Sequence, residues 1–253
     1  MMLSPAWNEP IVLWFVGSNF VLRHFEQGSQ MFSGLVWISI ACRADLCEEY
    51  EAVSTERKIL TIGDSILAWG TPSCTSVSHQ LGLALDDLVV VGAISNTQLT
   101  RGTDSIPEQY YEDDWDWVIL DGGANDLNKQ CGCSESCDVV LDILSTEDGS
   151  QGVMVELVQN ILLSGTQILM TGYYPMPAEA WYDFEACDEE LEQLNQRYAR
   201  IAGRYSNVHF APLEEVMDWR HNPELLDIDF VHPSVEGAEK IADYLSVFIG
   251  QQD

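Results

Sequence analysis

Short apolar runs alternate along the chain with longer stretches in which apolar residues recur three and four positions apart. Residues 59–62, 88–91, 117–120, 168–170 and 208–210 are of the first kind and read as buried strands. Met154, Leu157, Val158, Ile161 and Leu162 share one helical face, as do Leu191, Leu194, Tyr198 and Ile201. The last helix shows a start as well as a face. Ser234 is placed to cap it, Glu236 suits its first turn, and Val235, Ala238, Ile241, Ala242, Leu245 and Phe248 point inward. Strand followed by helix, repeated down the chain, predicts a five-stranded parallel sheet covered on both faces, a three-layer α/β/α sandwich. With 253 residues, 46% of them apolar, there is core enough for one such domain.

Residues 1–57 break the pattern. The stretches 11–22 and 31–41 are apolar, but each is shorter than the ~20 residues that span a bilayer, and Arg23, His24 and Glu26 lie between them. The second stretch fits a signal-peptide core, and Ser39-Ile40-Ala41 before Cys42 has the small-x-small form of a cleavage signal, with Met31 as a candidate start. Ala41-Cys42 has part of a lipoprotein signal, although Ser39 stands where that signal wants an aliphatic residue. The region ahead of the core carries almost no positive charge; the competing reading is a hydrophobic helix that stays attached. The expected organisation is a leader and linker over 1–57 and a single folded domain over 58–253, exported to the periplasm or beyond, monomeric, with no stable membrane span in the mature domain.

Charge narrows the partners. Forty-one acidic against 11 basic residues leave a formal charge of −30, which repels phosphate backbones and anionic membranes and excludes nucleic acid as a partner. The acidic residues are scattered, as on a solvated surface suited to a saline or extracellular medium. Of the seven cysteines, Cys131, Cys133 and Cys137 crowd into CGCSESC, while Cys47, Cys74 and Cys187 lie apart. With Cys42 in the leader, an even set remains, which in an exported chain predicts disulfides of open connectivity. A thiolate metal site is the rival, but the C-x-C-x-x-x-C spacing lacks the second pair of ligands that structural zinc requires.

In a parallel sheet the ligand site lies beyond the carboxyl ends of the strands. Those ends run into Gly63-Asp64-Ser65, GAISNTQ, DGGANDL and TGYYPMP, and the last helix is preceded by DIDFVHPS. A serine nucleophile needs a base. His24 sits in the leader, His79 in the first helical stretch, His209 in a strand and His221 in the loop WRHNP. His232 has Asp229 three residues before it, a spacing that lets one tight turn bring carboxylate and imidazole together. Taken alone, D-x-x-H-P is more often a satisfied turn before a helix.

The joint occurrence of these pieces, in order, resembles the SGNH (GDSL-type) hydrolase family over roughly residues 58–249. Gly63-Asp64-Ser65 is similar to the family's first block, whose serine is the nucleophile. Gly123-Ala124-Asn125-Asp126 is similar to the G-x-N-D block, whose asparagine donates to the oxyanion. Asp229-Phe230-Val231-His232 is similar to the D-x-x-H block that holds acid and base. The second block departs: AISNT has Asn96 where the family has the glycine that lends its N–H. Asparagine tolerates the left-handed backbone, so that N–H remains usable there.

The resemblance implies a flavodoxin-like sandwich and a serine ester hydrolase working without metal or organic cofactor. Ser65, His232 and Asp229 would form the triad; Ser65, Asn96 and Asn125 would supply the oxyanion hole; Asp64 would brace the loop. Trp69, Tyr173, Tyr174 and Met176 are candidates for an acyl pocket, or plain core. Lipid acyl esters, short soluble esters and acetylated sugars all remain open as substrates. The readings from other classes are a catalytically impaired SGNH-like binding domain and a cysteine-based redox or metal protein built on 131–137.

Overall fold

Valine, isoleucine and leucine fill the strands because the sheet they form is covered on both sides. β1 (Lys58–Ile62), β2 (Leu88–Val91), β3 (Trp117–Leu120), β4 (Gln167–Thr171) and β5 (Val208–Ala211) are all parallel, in the order β2-β1-β3-β4-β5. This is the flavodoxin-like order. Ile59 faces Val89 on one side and Trp117 on the other, and Leu120 faces Met170. Every residue of β3 is buried, whereas the outer strands β2 and β5 are half-buried in part. All five runs predicted from the apolar pattern are strands.

The computed structural model describes residues 57–133 and 136–251, together with two short antiparallel strands, Phe15–Val16 and Asn19–Phe20. The chain divides into two compact units, Met1–Arg43 and Ala44–Asp253. Apart from those two strands, the expected leader, its cleavage signal, Cys42 and Cys47 lie outside the described residues.

The helices are α1 (Ser65–Ala68), α2 (Val77–Leu85), α3 (Ile106–Gln109), α4 (Ala124–Gln130), α5 (Asp138–Leu144), α6 (Val153–Leu162), α7 (Asp188–Ala202) and α8 (Val235–Gly250). α2 packs along α8, while α4, α5 and α6 follow one another and α7 lies against β5. Helices thus cover both faces. α7 opens on Asp188, Glu189 and Glu190 and carries Arg200 in its last turn, each sign at the end of the dipole that favours it. Ser234 caps α8 as expected, accepting from the Gly237 N–H at 3.1 Å. The inward set of α8 needs two changes. Val235 is about half exposed because the first turn projects past the sheet toward a cleft, and Ile249, not the half-buried Phe248, completes the buried stripe.

Cys131–Cys137 closes the turn after α4, and Cys133–Cys187 ties that turn to the segment entering α7. Cys74 is disulfide-bonded too. The sulfurs of 131, 133 and 137 lie within 4.8 Å of one another, but all are consumed in bridges, so the thiolate metal reading fails on its ligands. No helix among the described residues is long and apolar enough to cross a membrane.

Candidate active site

β1 ends against β3 so tightly that only glycine fits. A Cβ on Gly63, whose φ is +149°, would stand 1.7 Å from Asp121 Oδ1. The Gly63 N–H donates to Gln109 Oε1 at 2.7 Å and the Asp64 N–H to Asp121 Oδ1 at 2.5 Å. The chain then turns directly into α1, with Asp64 as N-cap accepting from the Ile66 N–H at 3.2 Å. Ser65 is the first residue of that helix, at the mouth of the sheet. The second oxygen of Asp64 accepts from the Tyr173 hydroxyl at 2.8 Å, which fastens the end of β1 to that of β4. Asp64 therefore braces the loop, the part expected of it.

Asp64 and Asp121 form a buried carboxyl pair behind Ser65. Burial, then the charge of Asp64, drives the Asp121 carboxyl well above the ordinary range. Asp64 is raised as well, again by burial first, although the Tyr173 hydroxyl and the Ile66 N–H oppose this. Asp121 Oδ2 is buried with no hydrogen-bond partner among the described residues.

Asn96, in the loop after β2, has φ = 68°, the left-handed conformation expected of it. Asn125 is buried in the first turn of α4, which starts at Gly123 (φ = 107°). Asp126, beside it, accepts from the Leu99 N–H at 2.7 Å, the Thr100 N–H at 3.1 Å and the Thr100 hydroxyl at 2.6 Å. Burial keeps its carboxyl above the ordinary value, against the pull of those donors and of Lys129.

The loop before α8 is pinched by a bridge between Leu226 and Pro233 and by the Asp227 N–H donating to the His232 carbonyl at 2.8 Å. Inside it, Asp229 Oδ1 accepts from the N–H groups of Val231 and His232, each at 3.0 Å, while Oδ2 lies 2.5 Å from His232 Nδ1. Burial works to raise the Asp229 carboxyl, but the His232 backbone N–H, the imidazole and the Val231 N–H outweigh it and hold the group below its ordinary value. An ionised Asp229 makes Nδ1 the donor and leaves Nε2 as acceptor. Trp69, one turn beyond Ser65 and bonded back to it (N–H to Ser65 carbonyl, 2.8 Å), stacks on the imidazole at 3.9 Å and 4°. Its indole N–H donates to Asp227 at 2.6 Å.

The structure thus brings Ser65, Asn96 and Asn125 to the carboxyl ends of β1, β2 and β3, and joins Asp229–His232 to the Ser65 helix through Trp69. The other described histidines lie elsewhere: His79 bonds Ser76 in α2, His209 is in β5, and exposed His221 pairs with Asp218. Three of the four acyl-pocket candidates are core. Tyr173, Tyr174 and Met176 are buried, and the Tyr174 hydroxyl is spent on the Val231 carbonyl at 2.7 Å. Trp69 borders a cleft of about 450 Å³ with Ser95, Asp227, Pro233 and Val235. A larger hollow of about 720 Å³ between α5 and α7 is walled by charged groups such as Asp142, Glu147 and Arg200, and holds none of the predicted site residues. Sequence reasoning missed Asp121, Gln109 and Lys129. Asp121 carried a signal, an acid at the end of an otherwise apolar strand; Gln109 and Lys129 carried none.

Fold and site together define a hydrolase of the SGNH class, with a glycine-tight serine turn, an asparagine helix and an Asp-His loop on one edge of a parallel sheet. The chain matches the GDSL-like Lipase/Acylhydrolase family over residues 61–240, and belongs to it. No curated protein matches. Among solved structures, a protein from Lactobacillus plantarum is similar at 17% identity over 79% of this chain and 99% of its own, with a TM-score of 0.61. LAE5, an alpha/beta hydrolase enzyme from the metagenome of Lake Arreo, Spain, is 16% identical over 79% and 98%, with a TM-score of 0.58. A carbohydrate esterase family 2 enzyme with a carbohydrate binding domain, from Corynascus thermopiles (Myceliophthora fergusii), is 19% identical over 79% and 67%, with a TM-score of 0.57. At these identities the likeness is one of fold.

Proposed function

We propose that this chain is a serine-dependent carboxylic ester hydrolase. The observation that carries the reading is the Asp229–His232 pair, closed at 2.5 Å and stacked on Trp69, the residue that caps the helix beginning with Ser65. Ser65 Oγ attacks the ester carbonyl and its proton passes to His232 Nε2. The tetrahedral intermediate collapses as His232 returns that proton to the leaving alcohol, and water then releases the acid from the acyl-enzyme by the same route. Asp229 holds the tautomer that keeps Nε2 free to accept. The oxyanion is met by the N–H groups of Ser65 and Asn96 and the side-chain amide of Asn125, donors fixed before the reaction starts. Asn96 at φ = 68° supports a working hole and weighs against an inert binding domain.

An exposed apolar rim supports an ester with an apolar acyl or alcohol group. Ile94 follows β2, Ile228 and Phe230 flank Asp229, Val235 lines the cleft, and Trp181 donates its N–H to the Asp229 carbonyl at 3.0 Å. Export of the domain over 58–253, with a cleavable leader and a linker ahead of it in 1–57, fits the disulfides. The test is a serine-reactive phosphonate with a panel of p-nitrophenyl esters of increasing chain length and an acetylated sugar. Ser65→Ala is expected to lose labelling and to lower kcat by roughly 10⁴-fold or more. Labelling that survives in Ser65→Ala would falsify the nucleophile assignment.

A further inference from the structure

The glycine missing from the second block has a replacement that involves two residues. Lys129 Nζ donates to the Asn96 backbone carbonyl at 2.9 Å and to the Asn96 side-chain oxygen at 2.5 Å. One ammonium thus closes a ring through the backbone and side chain of a single residue. That ring restrains the ψ and χ1 torsions of Asn96 at φ = 68°, a conformation glycine adopts freely and other residues do not.

The helix that supplies Lys129 also carries Asn125. The two stand four residues apart on α4 and so lie on one face of it. Neighbouring side chains lash the same loop to the same helix. Gln98 Nε2 donates to the Asn125 carbonyl at 3.4 Å, Gln130 Nε2 donates to the Thr100 hydroxyl at 2.7 Å, and Asp126 takes the Leu99 and Thr100 N–H groups. Those bonds hold residues 98–100. Lys129 alone among these helix residues reaches Asn96.

We propose that Lys129 is the positioning residue of the oxyanion hole, clamping Asn96 in the left-handed conformation that aims its N–H at the substrate oxyanion. One surface of α4 then presents one donor, the Asn125 amide, and sets the direction of another. The proposal rests on the esterase reading for its catalytic meaning. The geometry of the clamp stands apart from that reading and is tested apart from it.

The experiment compares wild type with Lys129→Met, Lys129→Arg, Asn96→Gly and the double variant Asn96→Gly/Lys129→Met, by p-nitrophenyl butyrate kinetics and by NMR of the Asn96 backbone. Lys129 is an exposed donor, and loss of its two bonds is expected to lower kcat by about fivefold. KM should stay within about twofold, because the oxyanion forms only in the transition state. Lys129→Arg is expected to recover most of the loss, since it keeps a charged donor of similar reach. In the Asn96→Gly background, where no side chain is left to clamp, adding Lys129→Met should cost less than about twofold. The Asn96 amide and Cα shifts should leave their left-handed values in Lys129→Met. Unchanged shifts in Lys129→Met overturn the clamp, and equal losses of kcat in the two backgrounds overturn its link to Asn96. If wild type hydrolyses no ester, that failure falls on the esterase reading, and the shifts still decide whether Lys129 holds Asn96.

Discussion

Asp229 and Asp121 are both buried carboxyls at the end of the sheet, and their surroundings send them in opposite directions. Asp229 has three N–H donors on it and is lowered; its contribution to stability is present above the ordinary carboxylate range and is lost as pH falls through its own lower value. Burial and the charge of Asp64 outweigh the backbone N–H groups on Asp121 and raise it well above that range. Its contribution is full below the ordinary value and lost as pH rises through the folded-state value. Wild type should therefore gain thermal stability as an alkaline solution is brought toward mild acidity, and Asp121→Asn should gain less. Parallel melting-temperature curves for the two proteins would mean that Asp121 carries no extra proton. The donors at the site are expected to differ in cost. If the proposed oxyanion hole is used, Asn125→Ala deletes one of its donors and should lower kcat on the order of 10²–10³-fold. Asn96→Val should also be severe, because a β-branched residue resists positive φ. A kcat for Asn96→Val within a few-fold of wild type would show that the hole does not use the N–H at 96.

At the scale of elements, the site is assembled from pieces too short to hold themselves. α1 has four residues and α4 seven, below the length at which a helix is stable alone. Their geometry comes from what they are tied to. α4 is fastened at its far end by the Cys131–Cys137 and Cys133–Cys187 bridges. The second bridge reaches the 181–187 segment, whose Tyr182 carbonyl also accepts from Asn128 Nδ2 at 2.8 Å. In a chain-entropy account, the bridge over 54 residues contributes about 4 kcal/mol and the one over six about 2 kcal/mol. Cys133→Ser/Cys187→Ser is thus expected to lose a larger share of urea stability than Cys131→Ser/Cys137→Ser. The reverse order would show that the small loop is the more ordered of the two in the unfolded chain.

For the whole molecule, a formal charge of −30 works against compactness, because like charges are brought closer on folding. At 1 M salt the screening length falls to about 3 Å, so the melting temperature should climb steadily as sodium chloride is added to a low-salt buffer. A flat response would mean that local cation pairs, such as Arg57 with Asp87 at 2.6 Å and Arg197 with Asp142 at 2.7 Å, already offset the repulsion. The same charge should slow the hydrolysis of anionic esters relative to neutral ones of equal size, an effect that salt reduces.

The sequence by itself determined the five strands and the parallel sandwich, and it put Ser65, Asn96 and Asn125 in the segments that follow strand ends. Strand burial is periodic and local, and each motif lies just past the strand that delivers it. Asn96 was legible as a left-handed residue because backbone sterics depend on residue type alone. Only the tertiary structure decided how the pieces meet. Trp69 looked like pocket or core, and the stack on His232 joins residues 163 positions apart in the chain, a separation no local pattern records. Tyr173 looked like an acyl contact or plain core and became the brace for Asp64, because β4 follows β3 in the sheet and brings its end toward that of β1. Gln109 and Lys129 left no pattern to read, and Asp121 showed only as an acid at the end of an apolar strand, since their roles come from through-space contacts with other elements. A carboxyl's proton and a lysine's clamp depend on burial and distance, which belong to the folded chain.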